Sequence, residues 1–338
     1  MNDLTPRKTT AKDWETDQEV RWCPGCGDYA ILKAVQRILP ELGADPAKTV
    51  FVSGIGCSSR FPYYIESYGF HTIHGRAPAF ATGIKLANPD LDVWLITGDG
   101  DGLSIGGNHT MHVIRRNLNT QILLFNNEIY GLTKGQYSPT SREGTPSPTT
   151  PLGSVDHPAS PCAIALGAGG RFIARSYDVS KDLPVVLKAA HAHQGAAFVE
   201  IFQNCIVYNK DRFDDFTARP VADATQLWTR HGEPLLFAKG TRGLAFDADT
   251  FALKVVDVDA GDWQAVGVMV HDQTNRGLAH LLVEMPFGAF PMALGVIYDD
   301  PRPTFESALL DQDAKARAGK SADLSKLLAR GQTWRVGA

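Results

Sequence analysis

Apolar residues recur at helical spacing from Ala30 to Leu39, and Pro40 with Gly43 ends that run. Val50 to Ser53 is a short apolar run that leads into Gly54-Ile55-Gly56-Cys57, the pattern of a strand followed by a glycine turn. Arg76 to Asn88 is rich in small and apolar side chains and stops at Pro89, which predicts a buried helix. Val93 to Thr97 shows no alternation, as expected of a strand covered on both faces. A helix from Ser104 to Asn117 and a strand from Gln121 to Phe125 follow. The same rhythm resumes with a helix at Cys162 to Leu166, a strand at Arg171 to Ala174, a helix at Leu183 to His193 and a strand at Ala197 to Phe202. This alternation predicts an α/β fold: a parallel sheet with helices on both faces and right-handed crossovers.

The pattern breaks in three places. Residues 1–20 read as an extended, charged N-terminal arm. The stretch from Tyr137 to Pro161 is dense in Pro, Ser, Thr and Gly and reads as a long loop or flap, a lid by composition only. After Cys205 the signal weakens: Leu253–Asp259, Ala265–His271 and Met292–Tyr298 are short apolar segments, and Leu309 to Ala329 carries helix-like charge patterning. The expected organisation is an arm (1–20), a main domain (21–210) and a C-terminal extension (211–338) packed on the core or on a partner subunit.

Composition narrows the class. The chain has 338 residues, 43% hydrophobic and 21% charged, enough for a sizeable core without staples. A formal charge of −4 argues against nucleic-acid binding. No segment reaches the ~18 apolar residues needed to span a bilayer, and the polar N-terminus lacks a signal-peptide core. A cytoplasmic protein is expected, so its five cysteines are not read as a disulfide framework.

Two motifs carry candidate chemistry. The strand at Val93–Thr97 enters Gly98-Asp99-Gly100-Asp101-Gly102, a turn that directs backbone N–H groups at an anion and offers Asp99 as a hard oxygen ligand. One strand–helix–strand crossover later the chain reaches Asn126-Asn127-Glu128-Ile129-Tyr130-Gly131, at the same carboxyl edge of the sheet, where open parallel sheets bind ligands. The plain reading of each half alone is a turn with a helix cap. Together they resemble the thiamine-diphosphate fingerprint. That resemblance makes the Asp99 and Asn127 side chains and the Ile129 carbonyl the Mg²⁺ ligands, with Gly98, Gly100 and Asp101 lining the diphosphate.

The second motif is Cys23-Pro24-Gly25-Cys26, to which Cys57 and Cys205, each following a strand, can be added. Four thiolates suit a [4Fe–4S] cluster or a structural zinc. A single CxxC with two isolated thiols favours the cluster. Cys162 opens an apolar helical run and reads as a buried small hydrophobe.

WCPGCGDYAIL, SGIGCSS, HTIHGRAPAFATGIKLANPDLDVWLITGDGDGLSIGGNH and FNNEIYGLTKGQYSPTS, spread over residues 20–210, resemble the β subunit of the 2-oxoacid:ferredoxin oxidoreductases. The resemblance implies a thiamine-diphosphate-binding fold carrying one [4Fe–4S] cluster on Cys23, Cys26, Cys57 and Cys205. It implies that Ile55, Gly56, Cys57 and Ser58 hold cofactor and cluster close together. His74, Gly131 and Leu132 would contact the thiamine, and Lys134 would approach substrate or coenzyme A. The implied reaction is CoA-dependent oxidative decarboxylation of a 2-oxoacid with ferredoxin as electron acceptor. The LTKGQYSPTS stretch is most similar to the 2-oxoglutarate branch; pyruvate and branched-chain 2-oxoacids stay open, as does a non-redox thiamine decarboxylase or a plain binding module with structural zinc. In the family the glutamate that activates the aminopyrimidine comes from the α (or fused γα) subunit, and neither Glu66 nor Glu128 here matches a motif for it. The implied assembly is (αβ)₂.

Overall fold

The computed structural model describes residues 8–259, 261–319, 323–334 and 336–337. Its first helix, α1 (Asp28–Glu41), runs through Pro40 before it stops, and strand β1 (Thr49–Ser53) follows. The chain then forms β2 (Tyr68–His71), α2 (Ala77–Ala87), β3 (Asp92–Gly98), α3 (Gly107–Arg115) and β4 (Thr120–Asn126). A small hairpin of β5 (Ile129–Tyr130) and β6 (Gln136–Tyr137) precedes α4 (Pro161–Gly167), β7 (Phe172–Tyr177), α5 (Leu183–Ala192) and β8 (Ala196–Phe202). The remainder holds α6 (Asp214–Thr217), α7 (Arg219–Thr225), β9 (Gln226–Thr229), β10 (Leu236–Phe237), β11 (Arg242–Asp247), β12 (Ala252–Asp257), α8 (Arg276–Val283), β13 (Met292–Asp299), α9 (Phe305–Arg317) and α10 (Leu324–Leu328).

The main sheet runs β2-β1-β3-β4-β8-β7-β13-β9. All pairings from β2 to β7 are parallel; β13 joins β7 antiparallel. Side chains alternate cleanly between two cores. Val93, Leu95, Ile122 and Leu124 face one; Trp94, Ile96, Leu123 and Phe125 face the other. Helices α2, α3, α4 and α8 line the first face and α1 and α5 the second, which is why the strands read as uninterrupted apolar runs.

Five expectations are corrected. The arm is not extended: Thr10 starts a short 3-10 turn (Ala11–Trp14) whose Trp14 is fully buried, its indole bonded to Thr9; residues 1–7 lie outside the described residues. The extension is more than an appendage packed on the core, because β13 and β9 continue the main sheet. Ala265–His271 forms only isolated bridges, while β10–β12 make a separate small sheet. The helix expected over 104–117 is interrupted: Asp101–Ile105 is a π turn, and α3 begins at Gly107. The helix pattern over 309–329 divides into α9 and α10, with residues 320–322 outside the described residues.

Candidate functional site

Adjacent parallel strands deliver the site. Gly54–Ser58 follows β1, Gly98–Asp101 closes β3, Asn127–Leu132 follows β4, and Gln203–Cys205 follows β8. Neighbouring parallel strands place their carboxyl-end loops side by side, so residues distant in sequence share one edge. The CxxC joins them because Gly27, at the start of α1, donates its N–H to the Asn204 carbonyl at 3.2 Å.

One cavity is lined by Ile55, Gly56, Cys57, Ser58, His74, Gly98, Asp99, Gly100, Asp101, Asn127, Ile129, Gly131 and Leu132. Every residue expected to contact the cofactor lines it. Asp28, Phe125, Tyr130, Thr133 and Gln203 line it too and were not anticipated.

Asp99 is 3% exposed. The hydroxyls of Ser138 and Thr140 both donate to its Oδ2, each at 2.6 Å. Burial raises the Asp99 carboxyl to about 6, against the pull of hydrogen bonds from Ser138, Thr140 and the Gly100 backbone. A buried, acceptor-rich carboxylate of this kind suits a hard cation. Asn127 holds its Nδ2 toward Gln203 Oε1 (2.9 Å) and accepts the Ile129 N–H on Oδ1 (3.2 Å). Glu128 between them is left-handed, with φ of 54°. The turn therefore presents Asn127 and Ile129 together.

Asp101 does something different from lining a diphosphate with its carboxylate. Its Oδ1 accepts the N–H groups of Ile55 (3.0 Å) and Gly75 (2.7 Å) and faces His74 Nδ1 at 2.5 Å; Oδ2 accepts from Thr97. It clamps three loops together, and only its backbone is left for an anion. This bond to His74 puts the ring proton on Nδ1 and leaves Nε2 as the acceptor. Gly54 is required by the same clamp: a Cβ there would stand 2.0 Å from Asp101 Oδ2. At Gly100 a Cβ would meet the Tyr130 ring at 2.2 Å, and Tyr130 Oη donates to the Gly100 carbonyl. This fixes the close approach of the β3 loop to the β4 loop.

The SPTS segment at 138–141 is a packed part of this site, contrary to the reading of 137–161 as an unpacked flap. Ser138, Thr140 and Ser141 are all buried, and Ser141 donates to the Glu128 carbonyl. Beyond it the loop is mostly exposed but pinned by Arg142, which pairs with Asp215 (2.7 Å) and Glu128. Glu128 also meets Arg212. It is committed to these arginines, and Glu66 is an exposed residue away from the cavity, so no glutamate lines it among the described residues.

A second cavity is lined by Cys23, Cys26, Cys57 and Cys205, with Arg21, Arg60 and Lys134 at its edge. Lys134 thus lies on the cysteine side rather than in the first cavity. The two cavities share Cys26's neighbour Gln203, and also Cys57, Asn127, Gly131 and Leu132. A Cβ added to Gly131 would stand 3.4 Å from Cys205 Sγ and 3.7 Å from Cys57 Sγ, so the shared wall lies close against two of the sulfurs. Burial holds the Cys57 thiol up at about 12, although Arg60 pulls it down, and raises Cys26 as well. Such thiols ionise only against a bound metal. Among the described residues no three His, Cys or acidic side chains gather closely enough to ligate one ion. Cys162 lies elsewhere: it is fully buried and donates to Glu200 (3.2 Å), which also meets Arg175 (2.8 Å) and Asn126 (2.8 Å).

A strand-edge cavity of this construction is that of a thiamine-diphosphate enzyme domain, and residues 54–201 match the model of the thiamine pyrophosphate enzyme C-terminal TPP-binding domain. The chain is 46% identical over 347 residues to the 2-oxoglutarate oxidoreductase subunit KorB of Mycobacterium tuberculosis, covering 98% of this chain and 90% of that one. It is 51% identical over 189 residues to the 2-oxoacid:ferredoxin oxidoreductase 1 subunit beta of Aeropyrum pernix, 56% of this chain and 59% of the relative. A solved 2-oxoglutarate:ferredoxin oxidoreductase from Magnetococcus marinus, with 2-oxoglutarate, coenzyme A and succinyl-CoA bound, superposes with a TM-score of 0.78 at 34% identity over 98% of each chain. The chain belongs to the β-subunit family of the 2-oxoacid:ferredoxin oxidoreductases.

Proposed function

We propose that this chain is the β subunit of a 2-oxoglutarate:ferredoxin oxidoreductase, which converts 2-oxoglutarate, coenzyme A and oxidised ferredoxin to succinyl-CoA, CO₂ and reduced ferredoxin, reversibly. The observation that carries it is a pair of adjoining cavities with Cys57, Asn127, Gly131, Leu132 and Gln203 in common, the first lined also by Asp99 and the second by all four cysteines. The choice of 2-oxoglutarate leans on the full-length similarity to 2-oxoglutarate enzymes.

Asp99, Asn127 and the Ile129 carbonyl would hold Mg²⁺, and the backbone of Gly98–Asp101 with Ile55–Ser58 would hold the diphosphate. Cys23, Cys26, Cys57 and Cys205 would hold one [4Fe–4S] cluster. When bound, thiamine diphosphate supplies the electron sink for decarboxylation and the cluster a one-electron exit. The chain's own residues position and shield. Asp101 locks the loops that carry Ile55 and His74. Phe125, Ile129 and Leu132 keep water from the reacting face. Lys134, exposed beside the cysteines, offers a cation to substrate or coenzyme A. With no glutamate in the cavity, the partner α subunit would supply the acid beside the aminopyrimidine, in an (αβ)₂ assembly in the cytoplasm. No helix among the described residues is long and apolar enough to cross a membrane.

The test is anaerobic co-expression with the α subunit, followed by methyl viologen reduction with thiamine diphosphate, Mg²⁺ and coenzyme A. CoA-dependent reduction with 2-oxoglutarate, and far less with pyruvate, is the expected result. Preference for pyruvate or a branched-chain acid would move the substrate assignment. Zinc in place of iron would point to a non-redox thiamine enzyme.

A further inference from the structure

We infer that Gln203 is a positioning residue shared by both cofactor sites: it orients the Asn127 amide toward the cation and donates a hydrogen bond to the sulfur of Cys26. The inference rests on the assignment of Asn127 and Cys26 as ligands given above.

Gln203 immediately follows β8 and is 1% exposed. Its backbone N–H donates to the Asn126 carbonyl at 2.8 Å, which pins it to the turn after β4. Its side chain has no spare capacity. Oε1 accepts from Asn127 Nδ2 at 2.9 Å. Nε2 carries two protons, and two acceptors face it: the Asn204 carbonyl at 2.7 Å and Cys26 Sγ at 3.2 Å. The first contact acts with the Ile129 N–H, which donates to Asn127 Oδ1 at 3.2 Å, to fix the Asn127 amide. With Nδ2 held by Gln203, the oxygen is the end left for a cation; a reversed amide would turn a donor toward it. The second contact puts an N–H on a ligand sulfur, which favours the electron-rich, reduced state of a cluster and raises its potential. The bond from Nε2 to Asn204 holds the amide in the orientation that makes both contacts. The chain thus couples the two sites through one rigid side chain, across the wall that Gly131 keeps thin.

The test uses the full αβ complex. Gln203→Met keeps length and apolar volume and removes both contacts. Mg²⁺ is titrated into cofactor-free complex with a fixed amount of thiamine diphosphate, and bound thiamine is measured by equilibrium dialysis. The Mg²⁺ concentration for half-saturation is expected to rise about tenfold, the scale on which ligand-orienting partners act, while thiamine binding recovers at saturating Mg²⁺. Redox titration followed by electron paramagnetic resonance is expected to show a lower cluster potential at full iron content. Gln203→Glu separates the two effects. It retains an acceptor for Asn127 and loses the donor to Cys26, so the Mg²⁺ requirement stays within about threefold and the potential still falls. Wild-type Mg²⁺ requirement and potential in Gln203→Met overturn the inference, and a change in only one of them overturns the shared role. Wild-type complex that binds no thiamine diphosphate, or no iron, would instead overturn the functional reading itself.

Discussion

Single residues at the sheet edge are set by who their hydrogen-bond partners are. Asp99 and Asp101 stand two positions apart, yet one lines the cavity under two hydroxyls of the 138–141 segment and the other ties the loops of Ile55 and Gly75 together. Asp99→Ala is expected to abolish Mg²⁺-dependent thiamine binding and leave iron largely in place, read by thiamine and iron analysis of the same preparation. Asp99 also gives a pH dependence. Its carboxyl is raised from the ordinary 3.8 to about 6, so the cation-free fold favours the protonated form. That contribution to stability is full below about 3.8 and is lost as pH rises through about 6. A cation needs the ionised form. Mg²⁺-dependent thiamine binding is therefore expected to weaken as pH falls below 6, in a dialysis series from pH 7.5 to 5 at fixed Mg²⁺. The cysteines divide on the same logic. Cys205→Ser is expected to lose cluster iron, and Cys162→Ser to retain it, because Cys162 faces Glu200 within the core. Equal iron loss in both would overturn the choice of four ligands.

At the scale of elements, the loop after β6 is the instructive case. Its Pro, Ser and Thr content reads as a flexible excursion, but three hydroxyls of SPTS turn inward and bind Asp99 and the Glu128 carbonyl. Short polar side chains look alike in sequence whether they face water or a buried carboxylate. Thr140→Val keeps the shape of the side chain and removes the one hydroxyl proton that faces both Asp99 Oδ2 and Asn126 Oδ1. The half-saturating Mg²⁺ concentration for thiamine binding is expected to rise about tenfold. The strands, by contrast, were legible, since both faces of β3 and β4 are covered and their apolar runs have no alternative use. The short edge strand β2 is harder to read because it is only four residues long and exposed throughout, with Gly69 between Tyr68 and Phe70. The interruption at Asp101–Ile105 escaped for a different reason. Asp101 is drawn inward to the Ile55 and Gly75 N–H groups, a demand made by loops far away in sequence.

For the whole molecule, the sheet is longer than the region of clear pattern. Strands β13 and β9 extend it beyond β7, and α8 closes the first core face, so truncation near residue 210 would strip β13 from β7 and expose Ile173 and Ala174, now fully covered. At the other end Trp14 fills the second core beside α1. Trp14→Ala is expected to cost about 3–5 kcal/mol, measured as a lowered midpoint in denaturant unfolding. The motifs that name the cofactors are legible in the sequence because they depend on local chemistry: a strand that ends in GDG, a turn opened by paired asparagines, a CxxC. Hydrophobic periodicity likewise determined the layered α/β architecture. What only the tertiary structure decided is which of those groups face each other. The hydroxyls on Asp99, the clamp made by Asp101, the reach of Gln203 to Cys26 and the wall shared by two cavities all arise from loops brought together by neighbouring strands. Sequence spacing along one chain carries no record of such contacts, because the sheet sets them across strands.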